Sequence, residues 1–169
     1  QADTGGGSLS SWNYNHVETW EDAPTGAKAR VYVDESGNYI IAFAGTEDLQ
    51  DAYQDLANFG MAQWDALSPR IMAYFSVLED QGVTLNSIQF TGHSLGGALA
   101  QYAAYDFVDG DIIATEKVSL TTFNALGGEL ELVNKYALYN TNILLTENIH
   151  HYYDPSDLVS RLSPHVGGT

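Results

Sequence analysis

Gly92-His93-Ser94-Leu95-Gly96-Gly97 is the stretch whose reading decides the fold. An apolar strand pattern precedes it, Ser87-Ile88-Gln89-Phe90-Thr91. An Ala/Leu-rich helical run follows it, Ala98-Leu99-Ala100-Gln101-Tyr102-Ala103-Ala104. A Gly-x-Ser-x-Gly between a strand and a helix has the setting of a nucleophile elbow. In such a turn the serine hydroxyl sits on the apex. The flanking positions pass so close to neighbouring backbone that only residues without a Cβ fit. The N–H of Leu95 then lies at a helix N-terminus, aimed at developing negative charge.

Outward from the elbow, strand and helix patterns alternate. Residues 28–33 alternate like a strand, and residues 39–44 form a second, more apolar one. Asp34-Glu35-Ser36-Gly37-Asn38 between them is turn chemistry, so the pair predicts an N-terminal hairpin. Residues 12–20, with Trp12, Tyr14, Val17 and Trp20, read as a short helix or a covering segment. Residues 49–59 have a helical period. Ser68 as N-cap and Pro69 at the first helical position predict a second amphipathic helix that carries Ile71, Phe75 and Leu78 and stops at Gly82. Residues 118–123 and 149–153 read as further strands, and residues 137–146 are ambiguous. The central strands are continuous apolar runs. Together these predict an α/β fold with a mainly parallel central sheet and helices on both faces. Residues 1–10 read as a flexible lead, and residues 11–169 as a single domain that is C-terminally incomplete if a segment is missing.

Composition limits the function classes. The chain has 169 residues and is 44% hydrophobic, enough for one domain with a sizeable core. Six Lys and Arg against 22 Asp and Glu give a formal net charge of −16. That disfavours nucleic acid and anionic membrane surfaces as partners. No apolar run is long enough to span a bilayer. The absence of cysteine excludes disulfides, a thiol nucleophile and a Cys-ligated zinc. His150, His151 and Asp154 lack the spacing support of a metal site, and no cofactor is expected.

A serine hydroxyl needs a base, a carboxylate to orient that base, and donors for the oxyanion. Asp154 and Asp157 follow the last strand, where catalytic groups gather. Only His165 lies downstream of both, so the order Ser94, Asp157, His165 is available. Asp154 precedes Pro155 and reads as turn initiation, which favours Asp157. His93 reads as structural, and His150 and His151 alternate on a strand toward opposite faces.

Three segments together resemble the class 3 lipase family of α/β-hydrolases. They are the elbow with its preceding His93; Ala42-Phe43-Ala44-Gly45-Thr46 followed by Asp51 and Asp55-Leu56; and Asp157-Leu158-Val159-Ser160-Arg161-Leu162. The resemblance implies an α/β-hydrolase-like fold with Ser94 as nucleophile and Asp157 as orienting acid. It makes Thr46 and Leu95 the oxyanion donors. The base is either His165 or a histidine on a segment absent from this chain. Residues 49–64 occupy the family's lid region, where Tyr53, Leu56, Phe59, Met61 and Trp64 line an acyl groove or are simply core. Ala44 stands where the family usually has a basic residue, and Tyr53 lies where it often has Trp.

The resemblance implies a lipase-type serine carboxylester hydrolase acting on a lipid or small ester, such as an acylglycerol, through an acyl-enzyme. A secreted, bacterial-like setting is expected. The alternatives are a phospholipase, thioesterase or acyltransferase with the same nucleophile, or a non-catalytic α/β-hydrolase-like binding module.

Overall fold

Asp34 makes the first tight turn. Its carboxylate accepts the N–H groups of Ser36 and Asn38, each at 2.9 Å. Gly37 sits at φ +79°, and a Cβ there would lie 2.6 Å from the Thr84 carbonyl oxygen. This turn folds β2 (Ala27–Val33) back on β3 (Asn38–Phe43) in antiparallel register, as the hairpin pattern predicts. The structure is a computed structural model and describes residues 13–45, 56–137, 139–140, 142–156, 159–161 and 163–167.

The segment expected to be a short helix or cover is instead a strand, β1 (Asn15–Asp22), antiparallel to the free side of β2. Its alternation decides this. Trp20 points into the core, with its ring 5.4 Å from that of Tyr74, while Glu21 is exposed. Trp12 lies outside the described residues.

Three strands extend the sheet in parallel from β3: β4 (Ser87–His93), β5 (Val118–Phe123) and β6 (Ile149–Tyr152). The order is β1-β2-β3-β4-β5-β6. Pairing aligns Val31, Ile41, Phe90 and Leu120 across four strands, and all four are fully buried. Above them lie α1 (Leu56–Asp80) and α2 (Leu95–Asp109). The Phe107 ring of α2 is 5.1 Å from Phe90 and 5.3 Å from Phe75 of α1, so both helices cover the same face. The opposite face, with Ile40, Gln89 and Ser119, is half-buried and carries no described helix, although helices were expected on both faces. No described helix is long and apolar enough to cross a membrane.

The helix expected to start at Ser68 does not. Pro69 lies inside α1, which runs unbroken through it. Proline there removes the hydrogen bond to the Asp65 carbonyl and costs about 3 kcal/mol. Both residues are exposed, so water reaches the freed carbonyl. On the other side of the helix Trp64, Leu67, Ile71 and Phe75 are fully buried. Burying four large apolar side chains at roughly 1.5–3 kcal/mol each outweighs the local break. Pro69→Ala is therefore expected to raise the midpoint of thermal unfolding, by the equivalent of about 1–3 kcal/mol. A lower midpoint would mean the helix path is built around the ring.

A buried carboxylate ties the helices together. Asp106 of α2 accepts the Trp64 Nε1–H of α1 and the Tyr136 hydroxyl, each at 2.7 Å. Tyr136 follows α3 (Glu129–Lys135), whose Lys135 Nζ lies 3.9 Å from Asp106 Oδ2. The ambiguous stretch 137–146 contains no described strand or α-helix, and a short 3₁₀ turn, Thr146–Asn148, begins at its end and leads into β6.

Candidate active site

The elbow stands between β4 and α2, at the carboxyl end of the parallel strands, with Ser94 at φ 55° and ψ −126°. A side chain is strained in that conformation, and it persists only where the surroundings fix it. They do so closely. A Cβ on Gly92 would come 2.1 Å from the Gly96 carbonyl oxygen, and one on Gly96 would come 2.4 Å from that of Phe43. The glycines of the motif are there because backbone passes through the space of a methyl group. The Ser94 N–H donates to the Phe123 carbonyl at 3.1 Å. The Ser94 carbonyl accepts from Gly97 N–H at 3.0 Å and from Leu126 N–H at 3.1 Å.

Ser94 is 4% exposed, and its Oγ has no hydrogen-bond partner. The side chain does not cap α2. That leaves the hydroxyl at the positive end of a helix, with Leu95 as the first helical residue beside it. Gly45 shows how β3 serves the same place. Its Cβ would lie 3.5 Å from Ser94 Cβ, so the chain leaving β3 runs alongside the serine. Thr46 comes next in sequence but, like Tyr53 and Asp157, lies outside the described residues.

No hydrogen bond joins His165 to Ser94 Oγ. Its Nε2 is 3.1 Å from the Ser160 carbonyl oxygen, which only accepts, so Nε2 carries the proton. Its Nδ1 is buried without a partner. The ring packs on His151, with centroids 4.6 Å apart. Nε2–H is thus committed to a backbone carbonyl, and the ring has no hydrogen bond to Ser94 Oγ. Accordingly, His165→Gln is expected to change any Ser94-dependent esterase rate by less than about tenfold, whereas loss of a triad base costs about 10⁶-fold. A loss approaching that figure would make His165 the base.

His150 and His151 face opposite sides as their alternation predicts: His150 is exposed and His151 half-buried. His151 Nε2–H donates to the Val166 carbonyl at 3.0 Å, and its Nδ1 accepts the Thr122 hydroxyl at 2.7 Å. Burial holds its pKa below the usual histidine value, and the neighbouring His165 adds to this. His93 is exposed. Asp154 closes a local turn. Its Oδ1 accepts the Ser156 N–H at 2.8 Å and the Ser156 hydroxyl at 2.7 Å, and these bonds hold its carboxyl below the usual range.

Of the two readings open for Trp64, acyl groove or core, its surroundings are those of the core. It is fully buried, its ring lies 5.9 Å from Phe43, and its N–H is held by Asp106. Met61 packs partly buried against the same core. Leu56 and Phe59 lie at the start of α1, and nothing is described of their side chains.

One residue at the site was not among the candidates. Gln101 is fully buried in α2 and bonds to four backbone groups around the elbow. Its signal in the sequence is a lone amide within an apolar helical run.

No curated protein matches the chain. Among solved structures it is similar to the lipase from Rhizopus microsporus var. chinensis, at 17% identity and TM-score 0.67 over 90% of this chain and 57% of that one. The native Rhizomucor miehei lipase propeptide complex is also similar, at 17% identity and TM-score 0.68 over 91% of this chain and 53% of that one. So is lipase II from Rhizopus niveus, at 16% identity and TM-score 0.64 over 88% of this chain and 60% of that one. The likeness establishes an α/β-hydrolase-like fold of the class 3 lipase kind. The chain spans between half and two thirds of the length of these lipases. Residues 9–165 match the family model of the Tle-like phospholipase domain, and the chain belongs to that family.

Proposed function

We propose that this chain carries the nucleophile and oxyanion site of a lipid-ester hydrolase that cleaves fatty-acyl esters of phospholipids. The observation that supports this best is Ser94 Oγ, buried, unbonded and held in a strained turn at the N-terminus of α2. In the reaction Ser94 Oγ bonds to the acyl carbonyl carbon as a base takes its proton. The oxyanion forms against the N–H groups of Leu95 and Thr46. The alcohol leaves with the proton, giving an acyl-enzyme, and water then releases the fatty acid. Asp157 is the acid that orients the base. None of the described histidines is bonded to Ser94 Oγ. Family membership favours phospholipids over acylglycerols, and the net charge of −16 favours zwitterionic surfaces over anionic ones.

The test is covalent labelling of the whole chain with an alkyl fluorophosphonate, which loses fluoride to a reactive serine. Peptide mass spectrometry locates the adduct, alongside assays of fatty-acid release from phosphatidylcholine vesicles and triacylglycerol emulsions. An adduct on Ser94 with release from vesicles is expected. Release from the emulsion alone would make the protein an acylglycerol lipase. No adduct and no release would leave a non-catalytic module.

A further inference from the structure

We infer that Gln101 is a positioning residue that holds the elbow in its working conformation, a role that rests on Ser94 being the nucleophile. A primary amide offers two donors and two acceptor sites, and in a dry interior each unused one is destabilising. Gln101 uses all four. Its Nε2 donates to the Gly97 carbonyl at 3.1 Å and the Leu126 carbonyl at 2.9 Å. Oε1 accepts the N–H groups of Gly128 and Val166, each at 3.0 Å. One end of the amide meets only carbonyls and the other only N–H groups. A reversed amide would oppose like groups at every contact, so the orientation is fixed.

What these partners do gives the amide its role. Gly97 and Leu126 are the two residues whose N–H groups hold the Ser94 carbonyl. Gln101 therefore grips, through their carbonyls, both residues that grip the elbow. Ser94 at φ 55° needs such reinforcement, because a strained residue relaxes when its supports loosen. The fourth contact reaches the C-terminal segment at Val166, whose carbonyl is held by His151. One side chain thus joins the helix after the elbow, the loop after β5 and the segment carrying His165. Packing alone would be met by leucine, which fills similar space and favours a helix as well.

The experiment compares Gln101→Glu and Gln101→Leu with the unaltered chain. It reads the rate at which an alkyl fluorophosphonate labels Ser94, as a function of pH, and kcat and KM on a soluble p-nitrophenyl ester. A protonated carboxyl keeps one donor and the acceptors; an ionised one loses both donors and sets its oxygens against two carbonyls. Gln101→Glu is expected to label near the normal rate at low pH, then to fall about 100-fold as its carboxyl ionises, with kcat lowered and KM little changed. Gln101→Leu is expected to label slowly at every pH. Circular dichroism confirms the folded state of each, and if Gln101→Leu does not fold, the pH profile of Gln101→Glu decides. A role limited to stability would lower the melting temperature and leave labelling of the folded protein unchanged, which overturns the inference. If Ser94 of the unaltered chain is itself unreactive, the reading of Ser94 fails instead.

Discussion

Ser94→Ala is expected to abolish ester hydrolysis while leaving the protein at least as stable. Removing the nucleophile of a serine hydrolase lowers kcat by about 10⁶-fold. The stability effect runs the other way. The Ser94 hydroxyl is buried with no partner, and a buried unsatisfied hydroxyl is destabilising by about 1–3 kcal/mol. Alanine removes that hydroxyl but keeps the strain of φ 55° and ψ −126°. Ser94→Gly removes both, because glycine tolerates positive φ. Melting temperatures are therefore expected to rise in the order wild type, Ser94→Ala, Ser94→Gly, with both variants inactive. A site that trades stability for chemistry has this signature. Loss of stability in Ser94→Ala would show that the hydroxyl is a structural bond donor after all, and retained hydrolysis would remove Ser94 from the reaction.

The elbow was legible in the sequence because its requirements are local. Gly92 and Gly96 are each fixed by a backbone atom within 2.4 Å of the missing methyl group, and no distant substitution relieves that. The hairpin was legible for the same reason, through Asp34 and Gly37. Features set by distant partners were not. Pro69 carries a helix-start signal, yet the buried face from Trp64 to Phe75 overrides it. Trp64 lies within the lid region in sequence, but its environment is set by Phe43 and Asp106, from two other elements. His165 has a suitable place in the order of triad residues, while its orientation depends on Ser160 and His151. Chain order carries no information about where an imidazole nitrogen points. Gln101 sat in plain view within the elbow's helix, and only its four partners reveal what a polar residue does there.

Asp106 is the other position where a single change is expected to have a large effect, and the sign with pH follows from its surroundings. Burial pushes its carboxyl above the ordinary value of 3.8, against the lowering effect of the Tyr136 and Trp64 hydrogen bonds and of Lys135. The folded protein therefore keeps this proton to higher pH than the unfolded chain does. Its contribution to stability is complete below the unfolded pKa and is lost as pH rises through the folded one. Stability should decline over that window and then level off. Asp106→Asn is expected to remove this component of the pH dependence, since the amide is always neutral. Its oxygen can accept the Trp64 N–H, and its NH₂ can donate to the Tyr136 oxygen. The clamp between α1, α2 and the end of α3 then survives with a cost of about 1 kcal/mol. Asp106→Leu leaves the Trp64 N–H and the Tyr136 hydroxyl without their acceptor and is expected to destabilise by about 3 kcal/mol. Urea unfolding between pH 4 and pH 8 separates the two. A leucine variant as stable as the asparagine one would mean that apolar packing, not the shared carboxylate, holds the three helices together. A buried charge replaced by well-packed apolar volume is often neutral. Trp64 argues for the carboxylate here: its indole N–H lies in the fully buried interior and donates to Asp106 of α2.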